Sequence, residues 1–518
     1  MSPVQGGAKA DRTTRRTTES TERTEQRSEK SVHSVVRPKA APVWQARTGG
    51  GLHPDLLAYS QTVEEDKPFV VHDLAGSSAH VLGLVKAGLL TKPEAKQLLT
   101  GLRAILKAHE SGTFELQVDL EDVHMNIESR LTAELGDVGR KLHSGRSRND
   151  QVATCIVLFA RQNTARLAQG LHLLAGALAA QAKAHTQSPW VARTHGQAAQ
   201  PATFGWLLAA HAQRIQELAA KALETFERIG ESPLGSGAVA GSTLPLQPAY
   251  TASMMGLRAP RSALLATGTR DVVLEACLLA SHVGTVVASL AQDLIDAFGS
   301  GALKLPAGYT TGSSLMPQKR NPDALELARG RGKALVGPLA SVQGILGGLG
   351  LGYMRDFQLT KPYLASALGD ACSTVELLAP LVEGMAYNPK ATAADWSKPG
   401  IVATDVAEAL VQAGLPFRTA YGIVASAFAE VEAGKSFQAA LESQKLPANQ
   451  LEAALGALQP DPSRRATLGG PAPERVVEAL ATFASRQKIL SAFLVTAQKA
   501  AEQPFLLLSK PLETLVNA

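Results

Sequence analysis

The chain has 518 residues, of which 45% are hydrophobic, 19% charged and only 5% aromatic. That length is enough for a large core and about three domains. Its three scattered cysteines, Cys155, Cys277 and Cys372, exclude a disulfide scaffold or a cysteine-ligated zinc site and fit a reducing cytoplasm. The net charge of +5 resides in residues 1–48 and the rest of the chain is balanced, so no basic groove for nucleic acid is expected.

Residues 1–42 are rich in Thr, Arg, Glu, Ser and Gln and have almost no large apolar side chains. Such a segment cannot bury enough surface to order itself, so a disordered basic extension is expected. No apolar stretch follows Arg15 and Arg16, which excludes a secretory signal. Residues 43–150 read as an N-terminal helical domain. Within it, Gly88-Leu89-Leu90-Thr91-Lys92-Pro93 marks a helix end, an N-cap threonine and a new helix.

Residues 151–395 read as a central domain of long, closely packed helices. Leu167, Leu171, Leu174 and Leu178 share one helical face, as do Leu208, Ile215, Leu218, Ala222 and Phe226. Apolar segments over 271–298 and 323–350 continue the pattern, and no sustained period-two alternation interrupts it. The longest uncharged run, 334–354, carries Pro338, Gln343 and six glycines. A helix buried on all sides of a bundle explains it better than a membrane span. Residues 396–518 have shorter segments broken by Gly414-Leu415-Pro416, Gly434 and Pro460-Asp461-Pro462, and read as a small C-terminal helical domain.

The stretch richest in chemistry is Gly312-Ser313-Ser314-Leu315-Met316-Pro317-Gln318-Lys319-Arg320-Asn321-Pro322. Gly-Ser-Ser implies a flexible loop. Asn321 followed by Pro322 predicts a helix start, with Asn321 as N-cap and Pro322 as the first helical residue. A serine, a lysine and a helix N-terminus together suit a carboxylate-bearing substrate. His124 and Glu128, at i and i+4, have no third partner in sequence reach, so a metal site is not expected.

The whole eleven-residue string resembles the signature loop of the fumarase/aspartase superfamily, and Gln318 resembles its argininosuccinate lyase branch. His143-Ser144-Gly145-Arg146-Ser147-Arg148-Asn149-Asp150-Gln151, Thr194-His195-Gly196-Gln197-Ala198-Ala199-Gln200-Pro201, Glu121-Asp122-Val123-His124 and Ser232-Pro233-Leu234-Gly235-Ser236-Gly237-Ala238 are similar to motifs of the same branch. The resemblance spans about residues 43–518. It implies an all-α, three-domain fold whose central long-helix bundle forms a twenty-helix core in a homotetramer, with each active site shared between subunits. The implied reaction is the reversible elimination of fumarate from argininosuccinate to give L-arginine, with no cofactor, in the cytoplasm.

The same resemblance implies Ser313 as catalytic base, Lys319 as the cation facing the aci-carboxylate, and His195, held by Glu326, as general acid or as organiser of a proton-donating water. The implied substrate binders are Thr62, Arg148, Asn149, Thr194, Asn321, Tyr353, Gln358 and Lys361. A lyase for another N-substituted aspartate and a non-catalytic, crystallin-like relative are the alternatives. Three departures stand out. Trp44-Gln45-Ala46-Arg47 replaces Trp-Gly-Gly-Arg, Gly196 replaces a leucine, and Leu359-Thr360 replaces an acidic pair.

Overall fold

The computed structural model describes residues 52–517. The expectation for residues 1–42 and the Trp44–Arg47 departure lie outside them. The long helices are α1 (Val70–Lys86), α2 (Lys92–Glu110), α3 (Val123–Leu135), α4 (Arg148–Ala184), α5 (Phe204–Arg228), α6 (Asp271–Gly299), α7 (Asp323–Ala334), α8 (Val336–Leu346), α9 (Lys361–Glu383), α10 (Ala403–Gln412), α11 (Phe417–Glu432) and α12 (Pro473–Glu502). Local chemistry starts several of them. Thr91 opens α2 with a capping box, its hydroxyl accepting from Glu94 N while the Glu94 carboxylate accepts from Thr91 N at 2.9 Å. Ser147 and Asp150 form the equivalent box at the head of α4.

Three apolar cores result. The central one joins α4, α5, α6, α9 and α12 with parts of α7 and α8. Leu167, Leu171, Leu174 and Leu178 are fully buried in it, as are Leu208, Ile215, Ala222 and Phe226 of the facing helix. The second core joins α1, α2 and α3 with the first turns of α4 and with Leu507, Leu508, Leu515 and Val516 from the far end of the chain. The third is built from residues 401–457 and Val191. The chain beyond Trp396 therefore serves all three cores.

Four local expectations are corrected. First, residues 189–203 form an antiparallel hairpin, β1 (Pro189–Thr194) and β2 (Gln197–Thr203), inside the region read as purely helical. Its strands consist mostly of Ala, Gln, Thr and Pro, which carry no apolar alternation. Second, the uncharged run 334–354 is neither one helix nor buried on all sides. After α8 the chain turns through Gly347, Gly348, Gly350 and Gly352, with φ of +83° at Gly348 and +131° at Gly352, and only Val342 of α8 is buried. Third, α7 begins at Asp323 with Pro322 as its N-cap, while Asn321 pairs in a short strand. Fourth, the segments after 396 are not all short, because α12 runs for 30 residues and packs along α4 and α5.

Two stretches, Asp271–Gly299 and Arg355–Glu383, are long and apolar enough to cross a membrane. More than half of each apolar window (56%) is buried inside the molecule, as in the core helices of a bundle. Two of the central helices touch backbone to backbone where α6 meets α7. A Cβ on Gly332 of α7 would lie 2.5 Å from the carbonyl oxygen of Gly284 in α6, and one on Gly284 would press on the Gly332 carbonyl. Neither contact can be relieved by rotating a side chain. Gly284→Ala should therefore destabilise the protein by about 1–3 kcal/mol despite alanine's better helix propensity. Denaturant unfolding monitored by circular dichroism checks this, and an unchanged midpoint would contradict the close approach.

Candidate active site

Two of the candidate binders, Thr62 and Arg148, meet one dipeptide, Glu121-Asp122, and three more, Tyr353, Gln358 and Lys361, lie on the segment that Arg355 ties to it. The backbone N–H of Thr62 donates to the Glu121 carbonyl at 2.8 Å. The Thr62 hydroxyl donates to Asp66 Oδ2 at 2.8 Å, and Asp66 Oδ1 accepts from the buried ammonium of Lys361. Asp122 caps α3 by accepting from Met125 N at 2.6 Å, and its other oxygen lies 3.6 Å from Arg148 Nε. Arg355 donates to the Glu121 carboxylate. Tyr353 packs edge-on against Phe357 at 5.9 Å, and the buried Arg270 guanidinium sits 4.5 Å from the Phe357 ring centre. Burial pushes the Tyr353 phenol above its usual range. Gln358 is half-buried on the same segment.

Glu121 has φ +68° and ψ −48°, and Asp122 N donates to Leu120 O at 2.8 Å across it. That is the strained form of the three-residue γ-turn, which costs a side-chain-bearing residue about 1–3 kcal/mol. The Glu121–His124 stretch was legible as a motif, but its carboxylates had no role in the sequence reading. Arg355 was not singled out at all.

Behind Arg148 lies a buried polar cluster. His124 Nδ1 is 2.8 Å from Asp73 Oδ1, which also accepts from Gln151 Nε2 at 2.8 Å. Burial raises the Asp73 carboxyl, but the His124 imidazole, Arg146 and Gln151 outweigh it and hold the group at about 2. Glu128 faces His143 at 3.3 Å and Arg148 at 3.7 Å, so neither member of the His124/Glu128 pair is free. Asp150 accepts from Ser147 N with one oxygen and from Gly235 N (3.1 Å) and Gly237 N (2.9 Å) with the other. Burial pushes its carboxyl up to about 6 against the pull of Arg146 and these N–H groups. Asn149 Nδ2 donates to Ala238 O at 3.3 Å. Residues 232–238 are thereby fastened to the head of α4.

The signature stretch is a hairpin-like loop. Thr311–Gly312 pairs antiparallel with Arg320–Asn321, closing its base. Asn321 Nδ2 also reaches Gly312 O at 3.4 Å. Within the loop, Ser313 Oγ accepts from the backbone N–H of Met316 at 3.0 Å and of Leu315 at 3.3 Å. Two donors on one hydroxyl oxygen favour negative charge there. Lys319 is exposed, as are Gln318 and Glu326. The first turn of α7 carries its own carboxylates, Asp323 and Glu326, and Thr311 donates to Asp323. The helix N-terminus is therefore already supplied with anions, and Lys319 is left as the cation on offer.

His195 and Gly196 form the two-residue turn of β1–β2, with φ of +53° and +74°. Both central residues of such a turn need positive φ, so the glycine that replaces leucine fits this backbone without strain. Thr194 and His195 are exposed at the tip. Arg193 is paired with Asp395, and β2 packs on the third core. Among the described residues, no hydrogen bond, ion pair or ring contact joins the three groups: Thr62/Arg148/Lys361, Thr194/His195, and Ser313/Lys319/Glu326.

Comparison with known proteins adds an independent line. A family model described as lyase matches residues 54–337, and one described as argininosuccinate lyase C-terminal matches residues 400–463. The argininosuccinate lyase of Leifsonia xyli subsp. xyli is 36% identical over 468 residues, covering 87% of this chain and 97% of that protein. That of Hahella chejuensis is 36% identical over 449 residues, covering 84% and 94%. Among solved structures, an EDDS lyase in complex with formate superposes with a TM-score of 0.77 at 24% identity, covering 90% of this chain and 97% of that one. A class II fumarase from Schistosoma mansoni gives 0.65 at 16% identity, covering 82% and 95%. These two show the shared all-α fold, and the sequence matches go further: this chain belongs to the argininosuccinate lyase family, within the fumarase/aspartase superfamily of lyases.

Proposed function

We propose that the protein reversibly eliminates fumarate from argininosuccinate to give L-arginine, as a cytoplasmic homotetramer whose sites draw on different subunits. The observation that carries this reading is the Ser313 loop. One hydroxyl receives two backbone N–H groups, and an exposed ammonium stands six residues further along the same closed hairpin. A C–H next to a carboxylate is a very weak acid. Its proton can be removed only if the carboxylate takes up the charge as an aci-carboxylate, opposite a waiting cation. Ser313 takes the proton and Lys319 faces the aci-carboxylate. His195, held by Glu326, protonates the departing guanidino nitrogen. Thr62, Arg148, Asn149, Thr194, Asn321, Tyr353, Gln358 and Lys361 bind the rest of the substrate. Closure of the hinged loop removes water and strengthens these fields.

Two facts support sharing between subunits. No hydrogen bond, ion pair or ring contact joins the three groups of site residues within one chain, and His195, Lys319 and Glu326 face solvent. The central bundle also leaves large apolar side chains uncovered, including Leu278 (45% exposed), Leu327 (60%) and Val336 (60%) on α6, α7 and α8. Such a surface suits burial against further copies of the same helices.

Ser313→Ala should lower kcat about a thousandfold while the helical content and assembly persist, and Lys319→Met should do nearly as much. Release of fumarate, followed by its ultraviolet absorbance, measures both, and near-normal turnover in either would overturn the assigned chemistry. Mixing inactive His195→Asn and Ser313→Ala proteins under conditions of subunit exchange should restore part of the activity, because some mixed sites then carry both native residues. No recovery despite exchange shown by mass spectrometry would place both residues in the same chain's site.

A further inference from the structure

We propose that Glu121 is a positioning residue. From within one chain, it holds the Tyr353–Lys361 segment against the Thr62 and Arg148 segments and so builds the arginine-binding half of the site. The inference rests on the functional reading above and assigns a part to a residue that reading leaves idle.

The connections run through one residue and its neighbour. The Glu121 carbonyl accepts from Thr62 N at 2.8 Å. Its carboxylate, with only 14% of the side chain exposed, accepts from Arg355, whose guanidinium also reaches Ser60 O at 3.5 Å. Through the next residue, Asp122 Oδ2 lies 3.6 Å from Arg148 Nε. Three stretches far apart in sequence, near 60, 148 and 355, thus converge on a two-residue junction.

Two features mark the junction as built rather than incidental. The backbone of Glu121 is held in a γ-turn conformation, φ +68° and ψ −48°, that side-chain-bearing residues avoid. Strain of that kind persists only where the surroundings over-determine it, and it concentrates at ligand-holding sites. The second feature is electrostatic. Leu359 and Thr360 carry no charge, and Thr360 is buried, donating to Phe357 O at 2.7 Å. Although Asp356 lies on the same segment, its two basic residues pair with carboxylates of the N-terminal elements, Arg355 with Glu121 and Lys361 with Asp66.

The test uses the full-length enzyme, with L-arginine as the binding probe in calorimetry and argininosuccinate as the substrate. Glu121→Gly deletes the carboxylate while permitting the positive φ, so it should fold. Glu121→Gly and Arg355→Met should each weaken L-arginine binding about tenfold and raise KM similarly, with kcat changed by less than about threefold. The double variant should be no worse than the weaker single one, because both remove the same link. Glu121→Gln, which keeps an acceptor for Arg355, should restore most of the affinity. Unchanged L-arginine affinity in the single variants, losses that multiply in the double, or a fall in kcat at constant KM would each overturn the proposal. If the unaltered enzyme neither binds L-arginine nor turns over argininosuccinate, the functional reading fails at that step and this proposal falls with it.

Discussion

Close packing of long, side-chain-poor helices is the constraint on which the rest of the molecule depends. Helix α4 runs for 37 residues, a length of about 55 Å. From Ala165 to Ala182 its buried residues are all Ala, Leu or Gly, and Gly170 leaves no room for more, since a Cβ there would meet Val375 of α9. The Gly284–Gly332 contact carries the same logic to the backbone itself. Where helices meet this closely, the faces they share are filled by side chains and backbone. Chemistry is displaced to the helix ends, the connecting loops and the outer faces, and those are where every candidate site residue lies.

The head of α4 shows how such an end is made ready. Ser147 and Asp150 cap it, Arg148 and Asn149 project from its first turn, and Gly235 and Gly237 dock on the Asp150 carboxylate. Beneath, Asp73, His124, Arg146 and Gln151 compensate one another in a buried cluster, so Arg148 is held among the carboxylates of Asp122 and Glu128. Fixed partners of this kind limit the freedom of a binding group before substrate arrives, which reduces the ordering cost of recognition. The opposite design appears at His195 and Lys319. They sit on a hairpin tip and in a loop closed only at its base, and both are open to solvent. One group of candidate residues is tied down by partners within the chain, while the other stands open to solvent.

Helix periodicity was legible because burial follows it. The leucines of α4 and the apolar face of α5 lie in the core as their spacing requires. The Thr91 cap was equally plain, since a capping box is decided by residues three apart. The β1–β2 hairpin was invisible because its strands carry Ala, Gln, Thr and Pro, and its pairing depends on the positive φ of His195 and Gly196. The exposure of α8 was misread for a related reason. An uncharged, glycine-rich run looks alike whether its own chain or another copy covers it.

The residues by themselves determined the helical class, the family and the chemical types assembled for the reaction, because periodicity, capping and motif strings are local and survive translation along one dimension. Only the tertiary structure decided that Glu121-Asp122 ties three remote segments together, that Asp150 fastens the 232–238 loop, and that no hydrogen bond or ion pair joins the serine loop to the histidine turn within one chain. Those outcomes depend on distances between residues up to 295 positions apart, such as Asp66 and Lys361. Such distances are set by how whole helices pack, which no short stretch of sequence encodes.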